Sequence, residues 1–321
     1  GVCGPGMSAV AILLAQMGHE VSGSDLNPSD ALHALGASGV NVHIGHDRSL
    51  VHGVDVVVFS TAVPQTNIEI VESRALGIPV VHRSVMLAAI TAAHRSVGIG
   101  GTHGKTTTTS LLTVMLRAAG RDPSYYIGAD VFDLGGAGVG SDGTMVVEAD
   151  ESDGTAQAMA LSSFILTNVD ADHLDRFGTV ERIEDEFAEM AGRLDGALVV
   201  CGDDAASMRV AERALRDRTV TYGFGLHNDV VVSALAPTDS GISFVVHING
   251  SDVPVDLPLR GRHNALNCAG ALAMATELGV EPAVAARAVA GFRGVDRRFI
   301  EHGTHNGALL VDDYSHLPAE N

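Results

Sequence analysis

The sequence predicts an α/β protein with a Rossmann-like N-terminal domain and a P-loop α/β central domain that carries a small antiparallel sheet. Two observations lead to this prediction. Short apolar strands alternate with helical segments, which is typical of a parallel sheet covered by helices. A loop rich in glycine and threonine, residues 101–109 (GTHGKTTTT), follows one strand and precedes a helical segment. This order is typical of a phosphate-binding domain.

Length and element order indicate the domain boundaries. At 321 residues the chain is longer than one typical domain. We expect a first domain over residues 1–95 and a central domain over residues 96–299. Residues 300–321 are too few for a domain, so we expect them to begin a truncated third domain.

Turns and apolar runs place the elements of the first domain. A glycine turn over residues 1–6 leads into an apolar segment that predicts a helix over about residues 7–17. The run DVVVFST at residues 55–61 predicts a buried parallel strand. The other predicted elements are strands at residues 20–24 and 78–81 and a helix at residues 85–93.

In the central domain, a strand over residues 97–100 precedes the loop, and a helix over residues 106–119 follows it. Three further strands run into carboxylate-rich segments: residues 144–147 before EADESD, 164–167 before NVDADHLD and 198–201 before GDD. Because parallel strands end at one edge of a doubly wound sheet, we expect these segments to line one crevice with the loop.

The remaining elements follow from a change in pattern at residues 219–260. Four short alternating strands there predict the small antiparallel sheet. Helices are predicted over about residues 263–278 and 282–290. Residues 310–318 (LVDDYSHLP) predict the first strand of the third domain.

Composition excludes several classes of protein. A formal net charge of −19 argues against nucleic-acid binding, which needs a basic surface that releases counterions. No apolar run reaches about 18 residues, so no membrane span is predicted. Three scattered cysteines and no recognisable signal peptide favour reduced thiols and a cytoplasmic location.

The loop at residues 101–109 holds Lys105, the only lysine of the chain. Glycines let backbone N–H groups approach phosphate oxygens, a lysine neutralises β/γ charge, and a threonine hydroxyl can bind Mg²⁺. The strict pattern is not met, because Ile99 stands where the first glycine should be. A GC-rich genome that encodes arginine in place of lysine would explain why lysine is rare, but it would not explain why the one lysine lies in the loop.

Glu148 and His173 are the strongest metal candidates, because both follow predicted parallel strands. Mg²⁺ prefers hard oxygen ligands and keeps several waters, so one carboxylate with phosphate oxygens is a normal site. The alternatives are a solvated acidic loop for Glu148 and a histidine that caps a backbone group.

Residues 4–9 (GPGMSA) fit the pattern GxGxxA, and Asp25 ends the next predicted strand. Alone, this is the fingerprint of a dinucleotide-binding unit. It therefore supports a rival hypothesis, an NAD-dependent oxidoreductase.

Two further groups could meet a nucleotide. Arg297 and Arg298 follow a glycine-rich turn, where one could face a phosphate or both could form a surface pair. Asn264 lies near the start of a predicted helix, where it is either a cap or a reader of an adenine edge.

Taken together, the chain resembles the ATP-dependent Mur ligases of peptidoglycan synthesis. The stretches that carry the resemblance cover nearly the whole chain in the family's order: GPGMS, SGSD, FSTAV, HRSVML, GTHGKTTTT, EADESD, TNVDADHLD, GRHNALN, FRGVDRRF and DDYSHLP. EADESD favours the branch that adds L-alanine, because the murein tripeptide ligases usually have tyrosine at the position of Ser152.

The resemblance implies that the first domain binds the UDP part of UDP-N-acetylmuramate. The residues it assigns to this substrate are Gly4, Gly6, Asp25, Ser60, Thr61 and Arg83. Tyr314 and His316 would lie near the incoming L-alanine.

The resemblance also implies an ATPase central domain with Mg²⁺. The residues it assigns to the phosphates are Gly101, Thr102, His103, Gly104, Lys105, Thr106 and Thr107. Thr106 and Glu148 would bind one Mg²⁺, and Glu148 and His173 a second. Asn264 would meet adenine, Arg298 the γ-phosphate and Asp313 the ribose. The implied catalytic residues are Lys105, Glu148, His173 and Arg298.

The chain departs from the family's pattern at a few positions. Leu317 replaces a frequent second histidine, and Cys3 and Pro5 alter the glycine turn. Sister ligases use a carbamylated lysine beside the second Mg²⁺, which Lys105 as the sole lysine cannot supply.

Besides the oxidoreductase, the alternatives are a murein tripeptide ligase-like recycling enzyme, a P-loop hydrolase or kinase, and a non-catalytic nucleotide-binding module.

Overall fold

The computed structural model describes residues 1–129, 131–132, 134–172, 174–295, 300–305 and 308–312. The strands are β1 (Ser22–Asp25), β2 (Asn41–Ile44), β3 (Val57–Phe59), β4 (Val80–His82), β5 (Arg95–Gly100), β6 (Ser124–Tyr126), β7 (Ala137–Gly138), β8 (Thr144–Glu148), β9 (Ser163–Leu166), β10 (Leu198–Cys201), β11 (Thr219–Gly223), β12 (Val230–Pro237), β13 (Ile242–Ile248), β14 (Ser251–Leu257), β15 (Ile300–His305) and β16 (Ala308–Asp312). The helices are α1 (Pro5–Gln16), α2 (Ala31–Ala37), α3 (Ile68–Ala75), α4 (Arg83–Ala92), α5 (Lys105–Ala118), α6 (Thr155–Ala158), α7 (Leu174–Phe177), α8 (Val180–Gly192), α9 (Ala205–Ala214), α10 (Arg262–Glu277) and α11 (Pro282–Val289), with a short 3₁₀ turn at Arg48–Val51.

The chain divides into two compact units. The first comprises residues 1–98, 122–128 and 136–162, and the second comprises residues 99–121, 129–135 and 163–321. The chain passes from the first unit to the second near the end of β5. This point lies directly before the glycine- and threonine-rich loop of residues 101–109, which we call the phosphate loop.

The first unit begins with the glycine turn and α1. Pro5 occupies the start of this helix, where its fixed φ is favourable and its missing N–H is not needed. The buried face of α1 is apolar and includes Val10 and Leu13. β1 pairs in parallel with β2, and β3 pairs in parallel with β4. The parallel pairing agrees with the Rossmann-like prediction.

The strand predicted at residues 55–61 is shorter and less buried than its sequence suggests. β3 covers only three residues, each half-buried, because within the described part of the chain it pairs with β4 alone, which is equally short. β6 pairs in parallel with β8 and antiparallel with β7, elements that we did not predict apart from β8.

The second unit carries a sheet in the order β14-β13-β12-β11-β10-β9. The end of β5 lies beside β9, where Thr167 N donates to Gly100 O at 3.0 Å. Helix α10 packs against α5 and α11. Its buried face is largely alanine and glycine, which allows close helix packing, and it includes Ala265, Ala269 and Gly270.

The prediction of an antiparallel sheet over residues 219–260 is confirmed for three strands and wrong for the fourth. β12, β13 and β14 are antiparallel, and the β13–β14 turn holds Asn249 and Gly250 at φ of 51° and 74°. Positive φ at both positions is typical of a tight hairpin turn. β11 is instead parallel to β10, because the connection between them contains α9 and so makes a crossover.

In the third predicted domain, β15 and β16 form an antiparallel hairpin. β16 overlaps the start of the strand predicted at residues 310–318, and residues 313–318 lie outside the described residues. In the described part of the chain, no helix is both long and apolar enough to cross a membrane.

Candidate functional site

A cleft of about 430 Å³ opens beside the glycine turn of the first unit. All six residues that the family resemblance assigns to the UDP-sugar line this one cleft, although they come from four separate stretches of chain: Gly4, Gly6, Asp25, Ser60, Thr61 and Arg83. Leu26, Asn27 and His46 also line it and were not predicted. The structure thus brings the six residues together, and their roles stay predictions.

Asp25 is fixed at the end of β1 by the backbone around it. Its Oδ2 accepts from Cys3 N at 2.9 Å, and its Oδ1 accepts from Asn27 N at 3.2 Å. Burial alone would raise the pKa of this carboxyl, but the backbone hydrogen bonds from Asn27 and Cys3 outweigh it and lower the pKa. Asp25 is therefore an ionised acceptor at neutral pH, as a ribose hydroxyl requires.

His46 enters the cleft as part of a hydrogen-bonded network that sequence reasoning missed. Its Nδ1 lies 3.2 Å from Glu69 Oε1 and 3.0 Å from Ser24 Oγ. Ser24 Oγ donates to Glu69 Oε2 at 2.6 Å, so its proton is already used. Nδ1 therefore faces two acceptors and carries a proton itself. The three residues are far apart in sequence, which is why no local motif indicated the network.

A second, smaller cavity of about 90 Å³ lies in the same unit. Its lining shares Gly6 and Arg83 with the cleft and adds Tyr126, Gly128, Glu148, Asp150, Thr155 and Met159. Burial raises the pKa of Tyr126 to about 12, despite the opposing charge of Arg83, so its hydroxyl is neutral. The EADESD segment thus begins at a cavity that adjoins the predicted UDP-sugar cleft.

Glu148 ends β8 and is 9% exposed. Gly128 N donates to its Oε2 at 2.9 Å. A Cβ on Gly128 would lie 3.0 Å from Glu148 Oε1, so a glycine allows this close approach. A hard carboxylate held in this way is a suitable ligand for Mg²⁺.

In the second unit, the phosphate loop is held by the segment that follows β9. Asn168 Oδ1 accepts from His103 N at 2.9 Å, and Asn168 Nδ2 donates to His103 O at 3.0 Å. Thr102 Oγ1 accepts from Asp170 N at 2.8 Å. His103 Nε2 also lies 3.7 Å from Asp170 Oδ2. These bonds preorganise the loop backbone.

Two of the three carboxylate-rich segments meet as predicted. Asp204 Oδ2 accepts from Val169 N at 3.2 Å and caps α9 through Ser207 N at 2.8 Å. The prediction that EADESD lines the same crevice stays a prediction.

Gly101 and Gly104 each meet two requirements that only glycine satisfies. Their φ values are 121° and 83°, a region that side chains disfavour. A Cβ would also lie 2.3 Å from Thr167 Oγ1 at position 101 and 2.3 Å from Asn267 Oδ1 at position 104. Both glycines thus let the loop backbone pack closely against its neighbours in a conformation that exposes N–H groups at the start of α5, which fits phosphate binding.

Lys105 opens α5, and its side chain folds back over the loop. Its Nζ donates to Gly101 O at 2.7 Å and to Thr102 O at 3.3 Å. Thr106 and Thr107 follow in the first turn of α5, half-buried and buried respectively. The ammonium group therefore lies over the backbone that would surround a phosphate.

Asn264 lies in the first turn of α10, with its amide in local contacts. Its Nδ2 donates to Arg260 O at 2.7 Å, and its Oδ1 accepts from Asn267 Nδ2 at 3.2 Å. Arg262, two residues earlier, stacks over the Phe224 ring at 3.6 Å. The alternative that Asn264 caps the helix is wrong, because Gly261 is the N-cap of α10 and no side chain caps this end. The adenine contact of Asn264 stays a prediction.

Five predicted site residues lie outside the described residues: His173, Arg298, Asp313, Tyr314 and His316. Among the residues that the structure describes, no group of three or more His, Cys, Asp or Glu side chains is arranged to hold a metal ion. The magnesium ligands therefore stay predictions.

Two family models match the chain. The model of the Mur ligase family catalytic domain matches residues 1–95, and the model of the Mur ligase middle domain matches residues 99–275.

Curated relatives share the whole length of the chain. A UDP-N-acetylmuramate–L-alanine ligase of Paenarthrobacter aurescens is 41% identical over 326 residues, which cover 100% of this chain and 71% of that protein. The enzyme of the same name from Thermobifida fusca is 42% identical, with 100% and 69% covered.

Solved structures show the same fold. The UDP-N-acetylmuramate–alanine ligase of Thermotoga maritima superposes with a TM-score of 0.86 at 27% identity, covering 100% of this chain and 74% of that one. A murein peptide ligase from Psychrobacter arcticus gives 0.85 at 25% identity, with 100% and 73% covered. The matches to both family models and to these relatives show that the chain belongs to the Mur ligase family.

Proposed function

We propose that this protein joins L-alanine to UDP-N-acetylmuramate through an amide bond, with ATP converted to ADP and phosphate, in the synthesis of the peptidoglycan precursor. One observation carries the proposal: the chain has a phosphate loop and also a separate cleft lined by all six predicted UDP-sugar residues. The curated relatives named above bear this activity in their names.

The cleft of the first unit would take the UDP part of the substrate. The turn with Gly4 and Gly6 offers backbone close to the pyrophosphate, and ionised Asp25 would accept from a ribose hydroxyl. Ser60, Thr61 and Arg83 supply hydroxyl and guanidinium donors in the same cleft. These backbone, carboxylate, hydroxyl and guanidinium groups fit a nucleoside diphosphate better than an apolar ligand.

ATP would bind with its phosphates in the loop of residues 101–107. Lys105 would neutralise charge on the β- and γ-phosphates, Asn264 would meet adenine, Arg298 the γ-phosphate and Asp313 the ribose. The chemistry of each residue suits Mg²⁺, since Thr106 offers a hydroxyl oxygen and Glu148 offers a carboxylate that Gly128 already holds. Thr106, Glu148 and His173 would hold the metal, which supplies charge neutralisation for phosphoryl transfer.

The reaction would proceed in two steps. A muramate carboxylate oxygen attacks the γ-phosphorus of ATP, the bond to the β-phosphate oxygen breaks, and an acyl phosphate and ADP form. The neutral amine of L-alanine then attacks the acyl carbon, phosphate leaves as the amide forms, and a side chain or water takes the proton that the amine loses. The first step depends on positioning of the reactants and on electrostatic stabilisation of the transferred phosphoryl group. Lys105 would supply part of that stabilisation. Tyr314 and His316 would lie near the amine.

The same proposal assigns residues 1–95 to the UDP-sugar, residues 96–299 to ATP and residues 300–321 to the start of the amino-acid-binding domain. A cytoplasmic location follows from substrates that are cytoplasmic metabolites.

A murein tripeptide ligase-like enzyme is the second candidate, because the structure from Psychrobacter arcticus superposes almost as well. Ser152 favours L-alanine, and an assay with L-alanine against the tripeptide separates the two.

Replacing Lys105 tests the proposal. Lys105→Ala should abolish acyl-phosphate formation while UDP-N-acetylmuramate binds as in the wild type, because Lys105 lies at the loop and not among the residues of the cleft. Removal of one such electrostatic donor costs about 3–4 kcal/mol by analogy with oxyanion-hole groups.

Arg117→Ala is the matched control, because it removes an exposed positive charge from the last turn of the same helix. Its turnover should stay near that of the wild type. A Lys105→Ala protein that keeps more than about a tenth of wild-type turnover, a loss of only about 1.4 kcal/mol, would contradict the assignment.

A further inference from the structure

We propose that Asp153 is a positioning residue, which holds the Arg83 guanidinium at the junction of the UDP-sugar cleft and the smaller cavity beside Glu148. There the guanidinium meets an oxyanion of the UDP-sugar. The inference rests on the proposed function, and it adds a residue that neither the sequence nor the family assignment singles out for this substrate.

Arg83 occupies a place that no other cation of the described chain shares, since it lines both cavities of the first unit. It is the first residue of α4, and its side chain is 18% exposed. Its Nη1 packs against the glycine turn so closely that a Cβ on Gly6 would lie 2.0 Å away. The guanidinium therefore lies directly beside the turn expected to hold the pyrophosphate.

The other arm of the guanidinium is bound by Asp153, since Nη2 donates to Asp153 Oδ2. Asp153 is itself fixed, because its Oδ1 accepts from Thr155 N at 2.9 Å at the start of α6. The backbone thus holds one carboxylate oxygen while the other engages Arg83. A long, flexible arginine side chain is tied to a short aspartate that the backbone holds in place.

The electrostatics favour a permanent ion pair. Burial alone would raise the pKa of Asp153, but hydrogen bonds from Thr155 and the charge of Arg83 outweigh it and lower the pKa. For Arg83, burial opposes the charged form, but Tyr126 and Asp153 outweigh it and raise the pKa. Both groups are therefore charged at neutral pH.

The ion pair with Asp153 leaves other N–H donors of the Arg83 guanidinium available to a ligand. A guanidinium has five N–H donors in a planar fork, and Asp153 engages one arm. Arg83 Nε is buried and has no hydrogen-bond partner in the protein. A buried donor of this kind gains from an acceptor that a ligand or a water supplies. A phosphate or carboxylate oxygen at the junction matches the fork.

Asp153 could instead compete with the ligand for Arg83. The two roles predict opposite changes in UDP-sugar affinity when Asp153 is replaced. A competitor would be displaced, so its removal would tighten binding. The fixed geometry of Asp153, with Thr155 N on one oxygen and Arg83 on the other, favours positioning. We therefore expect Asp153→Asn to weaken UDP-sugar binding by at least tenfold.

A double-mutant cycle tests this role by calorimetry on the whole chain. Wild type, Asp153→Asn, Arg83→Ala and the double variant are titrated with UDP-N-acetylmuramate and, separately, with MgADP. If Asp153 acts through Arg83, its substitution should have less than a twofold effect once Arg83 is alanine. MgADP affinity should change less than twofold in all four proteins. Asp55→Asn, which removes an exposed carboxylate from the same unit, is the control.

UDP-N-acetylglucosamine, which lacks the carboxylate, identifies the oxyanion. Equal weakening with both sugars by Asp153→Asn assigns Arg83 to the diphosphate, and weakening with UDP-N-acetylmuramate alone assigns it to the carboxylate.

Unchanged or tighter binding of UDP-N-acetylmuramate to Asp153→Asn would overturn the inference, and so would full additivity of the two substitutions. A parallel loss of MgADP affinity and thermal stability would show a merely structural role. Failure of the wild type to bind UDP-N-acetylmuramate would instead contradict the proposed function.

Discussion

At the scale of single residues, Gly104 shows how strictly the phosphate loop depends on a missing side chain. Its φ of 83° and its distance to Asn267 both exclude a Cβ, and the two causes can be separated. Gly120, just after the same helix, has a similar φ of 77°, but a Cβ there would meet nothing within 4 Å.

Gly104→Ala should therefore lose more stability than Gly120→Ala, and only Gly104→Ala should weaken nucleotide binding. Each places alanine in the left-handed region, which costs roughly 1–2 kcal/mol of unfolding free energy. Only Gly104→Ala must also displace Asn267 or the loop, so its affinity for MgADP should fall at least tenfold. Urea unfolding and calorimetric titration measure the two effects. Equal MgADP affinity in both variants would contradict the role of the loop.

The candidate site could be predicted from sequence where the residues form a contiguous motif. The loop residues and the six residues of the cleft belong to short motifs that the family resemblance placed together. His46 could not be found in this way, because it lies outside the quoted stretches and its partners Ser24 and Glu69 are 22 and 23 residues distant. Asn168 received no role from the sequence, although its side chain holds the loop backbone.

At the scale of elements, Glu69 ties α3 to β1 and to the segment after β2. It accepts from Ser24 Oγ at 2.6 Å and from Asp47 N at 3.2 Å, and its side chain is 14% exposed. Glu72, one turn later on α3, meets only the exposed His52. The two glutamates form a matched pair on one helix.

Glu69→Ala should lower the free energy of unfolding by about 1–3 kcal/mol, because it leaves partly buried donors without an acceptor. Glu72→Ala should change it by no more than about 0.5 kcal/mol, as is usual at surface positions. Urea unfolding followed by circular dichroism measures both. Similar losses in the two variants would show that the network contributes no more than a surface pair.

Element positions were predictable wherever an apolar run ended at a polar segment. The strand at residues 198–201 agrees with β10, and the helix after the loop agrees with α5 to within one residue at each end. The direction of β11 was not predictable from its own five residues. It depends on α9, which lies between β10 and β11 and was not predicted.

At the scale of the whole molecule, the prediction of a Rossmann-like domain followed by a P-loop α/β domain is confirmed by the family models and by the superposed structures. The three predicted domains and the roles of the site residues stay predictions. The two compact units are also not continuous in sequence, because residues 122–128 and 136–162 belong to the first unit. Such returns of the chain depend on strand pairing far along the sequence, which periodicity does not reveal.

We infer that the cleft of the first unit binds a UDP-sugar and not a nicotinamide dinucleotide. Calorimetric titration of the protein with UDP-N-acetylmuramate, with NAD⁺ and NADH in parallel, tests it most directly. We expect micromolar binding of the UDP-sugar and no heat of binding with NAD⁺ or NADH. Binding of NAD⁺ or NADH without the UDP-sugar would contradict the claim and restore the glycine turn and Asp25 as an oxidoreductase fingerprint.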